Sequence, residues 1–452
     1  MAKNRNSYQC SQCGAVLSKW AGQCPECQEW NSVSEVVAES RPAGRFAGYA
    51  GQLSNAITDL TAVERSSIDR VAVGVGELDR VLGGGIVPGS VTLLGGDPGI
   101  GKSTLLIQLV AALAEKMPSL YITGEESLEQ LGMRARRLGL SLDGIRCLAE
   151  TQIEQILGHA AREKPQLMIV DSIQTVFTEN LSSAPGSVAQ IRESAAALVR
   201  WAKENRCSIV LVGHVTKEGA LAGPRVLEHM VDCVLYFESD GGSRYRVVRA
   251  IKNRFGAVNE LGMFAMTGSG IKEVKNPSAI FLSGHDEPVS GSVITVVREG
   301  TRPILLEVQA LVDQSHLNNP RRVSLGLEHN RLAMMLAVLH RHGGIALADH
   351  DVFINVVGGM RVSETAADLP MLLALYSSFR DRAVPGNVVS FGEVGLSGEI
   401  RPVPDGEQRL KEAAGHGFER AIVPAANTPR KPPAGLEIVP VRSVRQALEQ
   451  VN

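Results

Sequence analysis

No run of this sequence is apolar for long enough to span a bilayer, and the opening MAKNRNSYQC lacks the apolar stretch of a secretory signal. A cytoplasmic protein with no membrane partner is therefore expected. An excess of positive charge is also missing. Lys and Arg number 46 against 48 Asp and Glu, and the formal net charge of -2 excludes nucleic-acid binding by bulk charge, so any DNA site must be a local basic patch. Cysteine is scarce outside one place: there are 7 in 452 residues, and Cys10, Cys13, Cys24 and Cys27 all lie near the start. The scattered Cys147, Cys207 and Cys233 sit in apolar contexts and are expected to be buried reduced thiols, so no disulfide framework is predicted. Internal repeats and low-complexity tracts are absent. What remains is ordinary globular composition, 44% apolar and 21% charged, with room for two or three domains.

The pattern along the chain divides it into four parts. Residues 8–30 form a cysteine-bearing unit, and the Gly, Ala and Ser-rich stretch in 31–66 reads as a linker. Over 67–275, apolar runs (VTLLG, SLYIT, LMIVD, SIVLVG, CVLYF, YRVVRAI) alternate with segments of helical period. SVAQIRESAAALVRWAKEN is one such segment, with Val188, Ile191, Ala195, Leu198, Val199 and Ala202 on one face. Strands alternating with helices predict an α/β domain whose largely parallel sheet is covered on both sides. Over 276–452 the alternation restarts with SVITVVREG, PILLEVQALV, RLAMMLAVLHRHG and DVFINVVGG, which predicts a further α/β domain.

The strand VTLLG runs into GDPGIGKST, where Gly96, Gly101, Lys102 and Ser103 satisfy the phosphate-loop pattern in its strand, loop, helix context. In such a loop, Gly96, Asp97, Pro98, Gly99, Ile100 and Gly101 curl backbone N–H groups around phosphate, and the helix from Lys102 through Thr104 points its N-terminus at the anion. Lys102 then reaches the β and γ oxygens and Ser103 ligates Mg²⁺. ATP with Mg²⁺ is the ligand this predicts. Hydrolysis also needs a carboxylate for the metal shell and a base for water. Asp171 ends the strand LMIVD and is the candidate for the first; Glu125, just past SLYIT, is the candidate for the second, with Glu126 competing. A strand-end acid is otherwise a turn residue or cap, but parallel strand ends gather beside the phosphate loop.

His214 ends a third strand and is placed to sense the γ-phosphate; the glycine-punctuated TKEGALAGPRVLEH that follows carries Lys217 and Arg225 and suits a nucleic-acid loop. Beyond it, RYRVVRAIKNRFG gathers Arg244, Arg246, Arg249, Lys252 and Arg254 without an acid. A solvated basic strand is the plain reading. The dense KNRFG points instead to a cation supplied across a subunit boundary to a γ-phosphate, a device worth about 10³ to 10⁵ in rate.

The N-terminal Cys10-x2-Cys13 and Cys24-x2-Cys27 knuckles have the spacing of a closed, structural, tetrahedral Zn²⁺ site. Trp20 and Trp30 are expected either to pack on this unit or to present a partner-binding face.

Taken together, the two CxxC knuckles, GGDPGIGKSTLL, TGEES, IVDSIQT, GHVTKEG with AGPRVLEHMVD, and KNRFG make the chain resemble the bacterial RadA (Sms) family of recombination and repair ATPases over nearly its whole length. That resemblance implies a RecA-like P-loop core with an N-terminal C4 zinc finger and a C-terminal Lon protease-like domain. It further implies a homo-oligomer, a hexameric ring, that hydrolyses ATP, moves on single-stranded and branched DNA, promotes branch migration and works with RecA recombinase. Lys252, with Arg254 close behind, is the group it implies for a neighbour's nucleotide. In the Lon-like part, VSETAADLP and GEIRPVPDGEQRLKE put Ala366 where the resemblance implies the dyad serine and Glu407 where it implies the lysine; Ser363 and Lys411 are out of register. Without nucleophile and amine, acyl-enzyme chemistry is not expected. This domain reads as an oligomerisation scaffold, with Arg302, Arg321, Arg322 and Arg341 as candidate DNA phosphate contacts. The competing readings are a Lon-type ATP-dependent protease and an ATP-switched protein scaffold.

Overall fold

A computed structural model describes residues 7–10, 16–17, 19–36, 69–214, 224–239, 244–278, 282, 287–317 and 319–451. In the N-terminal unit, β1 (Ser7–Cys10) pairs antiparallel with β2 (Val16–Leu17) and with β3 (Val33–Val36). The third strand extends this unit past the boundary expected at Trp30, because β3 completes the sheet that carries Cys10. Trp20 and Trp30 are 62% and 67% exposed, and both indoles lie over Gly22 of the unit.

The second unit begins with a nine-stranded sheet. Its parallel part comprises β4 (Val91–Gly96), β5 (Ser119–Thr123), β6 (Arg146–Ala149), β7 (Leu167–Asp171), β8 (Ser208–His214) and β9 (Cys233–Glu238). The antiparallel strands β10 (Tyr245–Asn253), β11 (Leu261–Thr267) and β12 (Gly270–Glu273) extend it, giving the order β12-β11-β10-β9-β4-β8-β7-β5-β6. β4, β5 and β7 are buried along their length because helices cover both faces. On one face, α1 (Gly76–Leu82) and α2 (Lys102–Leu113) pack with Leu94, Leu106 and Val110; on the other, α4 (Ile153–Glu163) and α5 (Val188–Asn205) pack with Leu93, Ile156 and Leu198. Between them in sequence, α3 (Leu128–Arg137) starts from a capping box of Ser127 and Gln130.

Two expectations of burial are corrected. Val188 stands exposed in the first turn of α5, where the helix has not yet reached the sheet, and Cys147 is only half-buried because β6 is the sheet's edge. Cys207 and Cys233 are buried as expected, and burial pushes both thiols up to about 12, which makes them inert.

The C-terminal sheet has seven strands: β13 (Ser292–Glu299), β14 (Arg302–Gln314), β15 (Arg322–Leu325), β16 (His350–Val356), β17 (Val388–Ser390), β20 (Arg420–Pro424) and β21 (Glu437–Val441). The small β18 (Glu393–Val394) and β19 (Ile400–Arg401) pair apart from it. The tip of the β13–β14 hairpin grips the domain built on the nine-stranded sheet. Arg302 donates from Nη1 to both oxygens of Glu77 at 2.9 and 3.1 Å and from Nη2 to the Lys275 carbonyl at 3.2 Å, while Glu299 accepts from Arg249 at 2.8 Å.

These contacts correct two of the expected DNA contacts. Arg302 is committed to the buried Glu77, and Arg322 donates to the carbonyls of Leu347, Arg321 and His350, pinning β15 to the loop before β16. Arg321 and Arg341 are exposed. Replacing Arg302 by Ala takes from the Glu77 side chain, 6% exposed, its nearer cation and leaves Arg80 at 3.9 Å. A loss of about 3–5 kcal/mol is expected, read as a lower thermal midpoint, with the salt slope of DNA binding unchanged. A slope shallower by about one unit with stability intact would restore Arg302 as a phosphate contact.

Candidate functional site

The site is assembled by strand register. Gly96 lies beside His214 and Thr123 beside Asp171, so the phosphate loop, both acidic candidates and the histidine share the carboxyl edge of the parallel sheet. Two glycines are dictated by crowding. Gly96 has φ 151 and a Cβ there would meet the Phe237 carbonyl oxygen at 2.6 Å; Gly101 has φ 117 and a Cβ would meet Met266 at 2.8 Å. Asp97, Pro98 and Gly99 form the exposed rim of the loop, Ile100 turns inward, and Ser103 and Thr104 are half-buried in the first turn of α2.

Lys102 is buried, and its Nζ donates to the carbonyls of Gly96 at 2.7 Å and Asp97 at 2.9 Å and lies 3.1 Å from Nδ1 of His214. Burial lowers its pKa, and Asp171, Glu125 and Asp97 oppose that shift. An ammonium has only protons to give, so His214 Nδ1 accepts and its Nε2–H donates to Oε1 of Glu125 at 2.9 Å. Ser172 Oγ donates to the same carboxylate oxygen. The hydrogen bond from His214 is the main reason the Glu125 carboxyl titrates below its ordinary range. Glu126 is engaged differently: it pairs with Arg134 of α3.

Asp171 tests whether the site suits a metal. Tyr121 donates to Oδ2 at 2.6 Å, and Oδ1 is buried with no hydrogen-bond partner. A buried anionic oxygen left over from the protein's own hydrogen bonding suits a hard cation or a water of its shell. Burial, then the Asp171 charge, pushes the Tyr121 phenol well above its usual value, so it stays a donor. Gln174 adds a second orphaned oxygen, and its amide lies 3.4 Å from the His214 carbonyl. Tyr121, Ser172 and Gln174 were missed in the sequence, although SLYIT and IVDSIQT contain them; hydroxyls and amides there look like ordinary strand and turn residues.

Lys252 and Arg254 are not brought to this site. On β9 the partner of Gly96 is Phe237 and the partner of Asn253 is Cys233. Four residues at about 3.3 Å each put the KNRFG cations roughly 13 Å along the sheet, at the edge away from the chain's own phosphate loop. Lys252 Nζ donates to the carbonyls of Glu228 at 2.7 Å and Val231 at 2.9 Å; Arg254 Nη1 reaches Oδ1 of Asp232 at 3.2 Å, with its side chain 58% exposed. Burial is the main cause that lowers the Lys252 pKa, and Arg254 adds to it. The rest of the basic strand is not a uniformly solvated face. Arg246 donates to the Ile100 carbonyl of the phosphate loop at 3.3 Å and Arg249 pairs with Glu238 and Glu299. Lys217 lies outside the described residues, and of Arg225 only the backbone, in α6 (Pro224–Glu228), is described.

In the N-terminal unit the sulfurs of Cys10, Cys24 and Cys27 lie within 4.8 Å of one another, a donor set that fits Zn²⁺; Cys13 is outside the described residues. In the Lon-like domain, the buried Ala366 and the helix Gly406–Gly415 share one core, so the two segments of the expected dyad do meet. The tie between them is an ion pair at 2.7 Å of Arg409, itself buried, with Glu364. Glu407, Ser363 and Lys411 face solvent or its margin.

Family models match in three places: an AAA domain over residues 61–220, a rubredoxin metal binding domain over 8–35, and the ChlI subunit of Mg-chelatase over 327–427. An ATPase domain of this kind takes ATP with Mg²⁺, and the rubredoxin-type unit takes Zn²⁺. The fold is thus a RecA-like P-loop core with an N-terminal zinc ribbon and a C-terminal Lon-like domain. Among curated proteins, the DNA repair protein RadA of Pseudomonas aeruginosa is 60% identical over 450 residues, covering 99% of both chains. That of Escherichia coli is 56% identical over 449 residues, covering 98% of each, and that of Bacillus subtilis is 46% identical over 452, covering 99% of each. Identity at this level along essentially the full length of both partners makes the chain a member of the RadA family of DNA repair proteins.

Proposed function

We propose that this chain is a DNA-stimulated ATPase that assembles head to tail into a hexameric ring, translocates on single-stranded and branched DNA in the cytoplasm, and promotes branch migration together with RecA recombinase. The observation that carries the reading is the position of KNRFG. Its two cations lie at the sheet edge opposite the chain's own phosphate loop, so a γ-phosphate they serve belongs to another copy. A surface at one edge that complements a site at the other is a heterologous interface, the kind that forms a ring when the rotation between copies closes. Exposed apolar side chains lie near both halves in sequence: Ile251 and Val258 around the cations, Leu128 and Met133 after Glu125.

Within the site, ATP enters on the amides of the loop from Gly96 to Gly101 and on the N-terminus of α2. The triphosphate draws Lys102 Nζ from the carbonyls of Gly96 and Asp97 towards its own oxygens. Ser103 and Asp171 would hold Mg²⁺, which when bound neutralises charge on the β and γ oxygens. Glu125 is the base that orients and deprotonates the attacking water, since Glu126 is paired with Arg134. His214 bridges Lys102 and Glu125, so loss of the γ-phosphate reaches it through either neighbour and passes into the segment containing Lys217 and Arg225, the nucleic-acid loop of this reading. Lys252 and Arg254 of the adjoining copy stabilise the charge that develops on the transferred phosphoryl group.

The test is ATP turnover without DNA, with single-stranded DNA and with duplex DNA, each with and without RecA recombinase. Stimulation by single-stranded DNA is expected. Turnover indifferent to every DNA would favour an ATP-switched scaffold instead.

A further inference from the structure

The segment that follows His214 and its loop returns to the described structure as α6 and runs on through Asp232, and both KNRFG cations rest on it. Lys252 holds the carbonyls of Glu228 and Val231. Arg254 is held twice by one residue, its backbone N–H donating to the Asp232 carbonyl at 3.1 Å and its Nη1 to Asp232 Oδ1 at 3.2 Å. Asp232 is buried and anchored in turn. Its N–H donates to the Val91 carbonyl at 2.9 Å, and its Oδ2 accepts from the Val91 N–H at 3.0 Å and from Lys203 Nζ at 2.6 Å. One carboxylate thus ties the first residue of β4, the strand that leads into the phosphate loop, to the arginine aimed at the neighbour. Tyr236 donates to Glu228 Oε1 at 3.1 Å and steadies the other end of the seat.

We propose that residues 228–232 are a seat for Lys252 and Arg254, with Asp232 as its positioning residue, so that Asp232 sets where the cations stand in the neighbouring subunit's site. This rests on the intersubunit reading above and adds to it the group that holds the two cations in place. The seat is built from main-chain carbonyls and one carboxylate, and Val91 and Lys203 hold that carboxylate to β4 and α5. A displacement of about 1 Å in a positioned group costs on the order of 10²-fold in rate.

Asp232→Asn in the full-length protein tests it. The amide keeps one oxygen, which the buried Val91 N–H and Lys203 claim, and turns an NH₂ towards Arg254, donor against donor. With single-stranded DNA present, kcat is expected to fall by about 10- to 100-fold with KM for ATP unchanged. Mixing then locates the defect. Asp232→Asn subunits should regain turnover when mixed with Lys102→Ala subunits, which supply an intact seat, and should not when mixed with Lys252→Ala subunits. The reverse pattern would show that Asp232 serves only its own phosphate loop through Val91, overturning the inference while leaving the intersubunit reading intact. If Lys102→Ala and Lys252→Ala subunits fail to complement each other, the intersubunit reading itself falls. Should Asp232→Asn not fold, hydrogen exchange on the unaltered protein decides: adding single-stranded DNA must change protection in 224–232 and at the Arg254 amide together, and a change in the first alone overturns the seat.

Discussion

Glu125→Gln is expected to lower ATP turnover by about 10²- to 10⁴-fold while leaving ATP binding in place, because the amide keeps the shape of the carboxylate but cannot take a proton from water. Binding survives because the loop amides, Lys102 and the α2 N-terminus are untouched. His214 and Ser172 both donate to one oxygen of Glu125, and the amide oxygen can still accept from them, so the side chain should stay in place. Single-turnover hydrolysis, with nucleotide affinity measured separately, checks both halves of the expectation. Glu126→Gln serves as the contrast. It weakens a half-exposed ion pair with Arg134, an interaction worth about 0–1 kcal/mol, and should leave turnover near its starting value. If Glu126→Gln were the inactive variant and Glu125→Gln the active one, the two roles would have to be exchanged.

The second large effect belongs to Lys252→Ala, for which a fall in DNA-stimulated turnover of about 10³- to 10⁵-fold is expected, the range of a cation supplied in trans to a phosphoryl group. ATP affinity should be unchanged, since the lysine is remote from its own chain's phosphate loop. Arg254 limits the loss if it can stand in, so the double substitution should sit at the bottom of the range. Mixing gives the decisive result. A Lys252→Ala subunit has a complete phosphate site and a Lys102→Ala subunit has a complete finger, so random assembly at equal amounts restores about a quarter of the interfaces in a closed ring. No recovery at any ratio would mean that the lysine acts within its own chain.

What could be read in the sequence was what depends on neighbours a few residues away. The phosphate loop is legible because its chemistry is local: a strand, a glycine-rich turn and a helix start supply every amide and the lysine. The CxxC knuckles are legible for the same reason, and so are the apolar runs that became β4, β5, β7, β8, β9 and β10. Asp171 and Glu125 could be nominated from strand ends, but the choice between Glu125 and Glu126 could not be made. Adjacent carboxylates differ only in what faces them: His214 and Ser172 for the one, Arg134 for the other. Arg302 was misread because its partner, Glu77, is 225 residues away. A basic residue at a strand start has the same local signature whether it meets phosphate or a buried acid.

The amino-acid order alone determined the chemical inventory of this protein, namely a phosphate loop, metal-binding sulfurs, strand-end acids and the KNRFG cations, because each is set by residue type and short spacing. Folding decided which of these meet. Register put His214 between Lys102 and Glu125, left one oxygen of Asp171 without a partner, and carried Lys252 and Arg254 to the far edge of the sheet, onto the carbonyls of Glu228 and Val231 and the carboxylate of Asp232. Those outcomes depend on pairings between strands distant in sequence, and a carboxylate or cation takes its role from the partner such a pairing brings within hydrogen-bond reach.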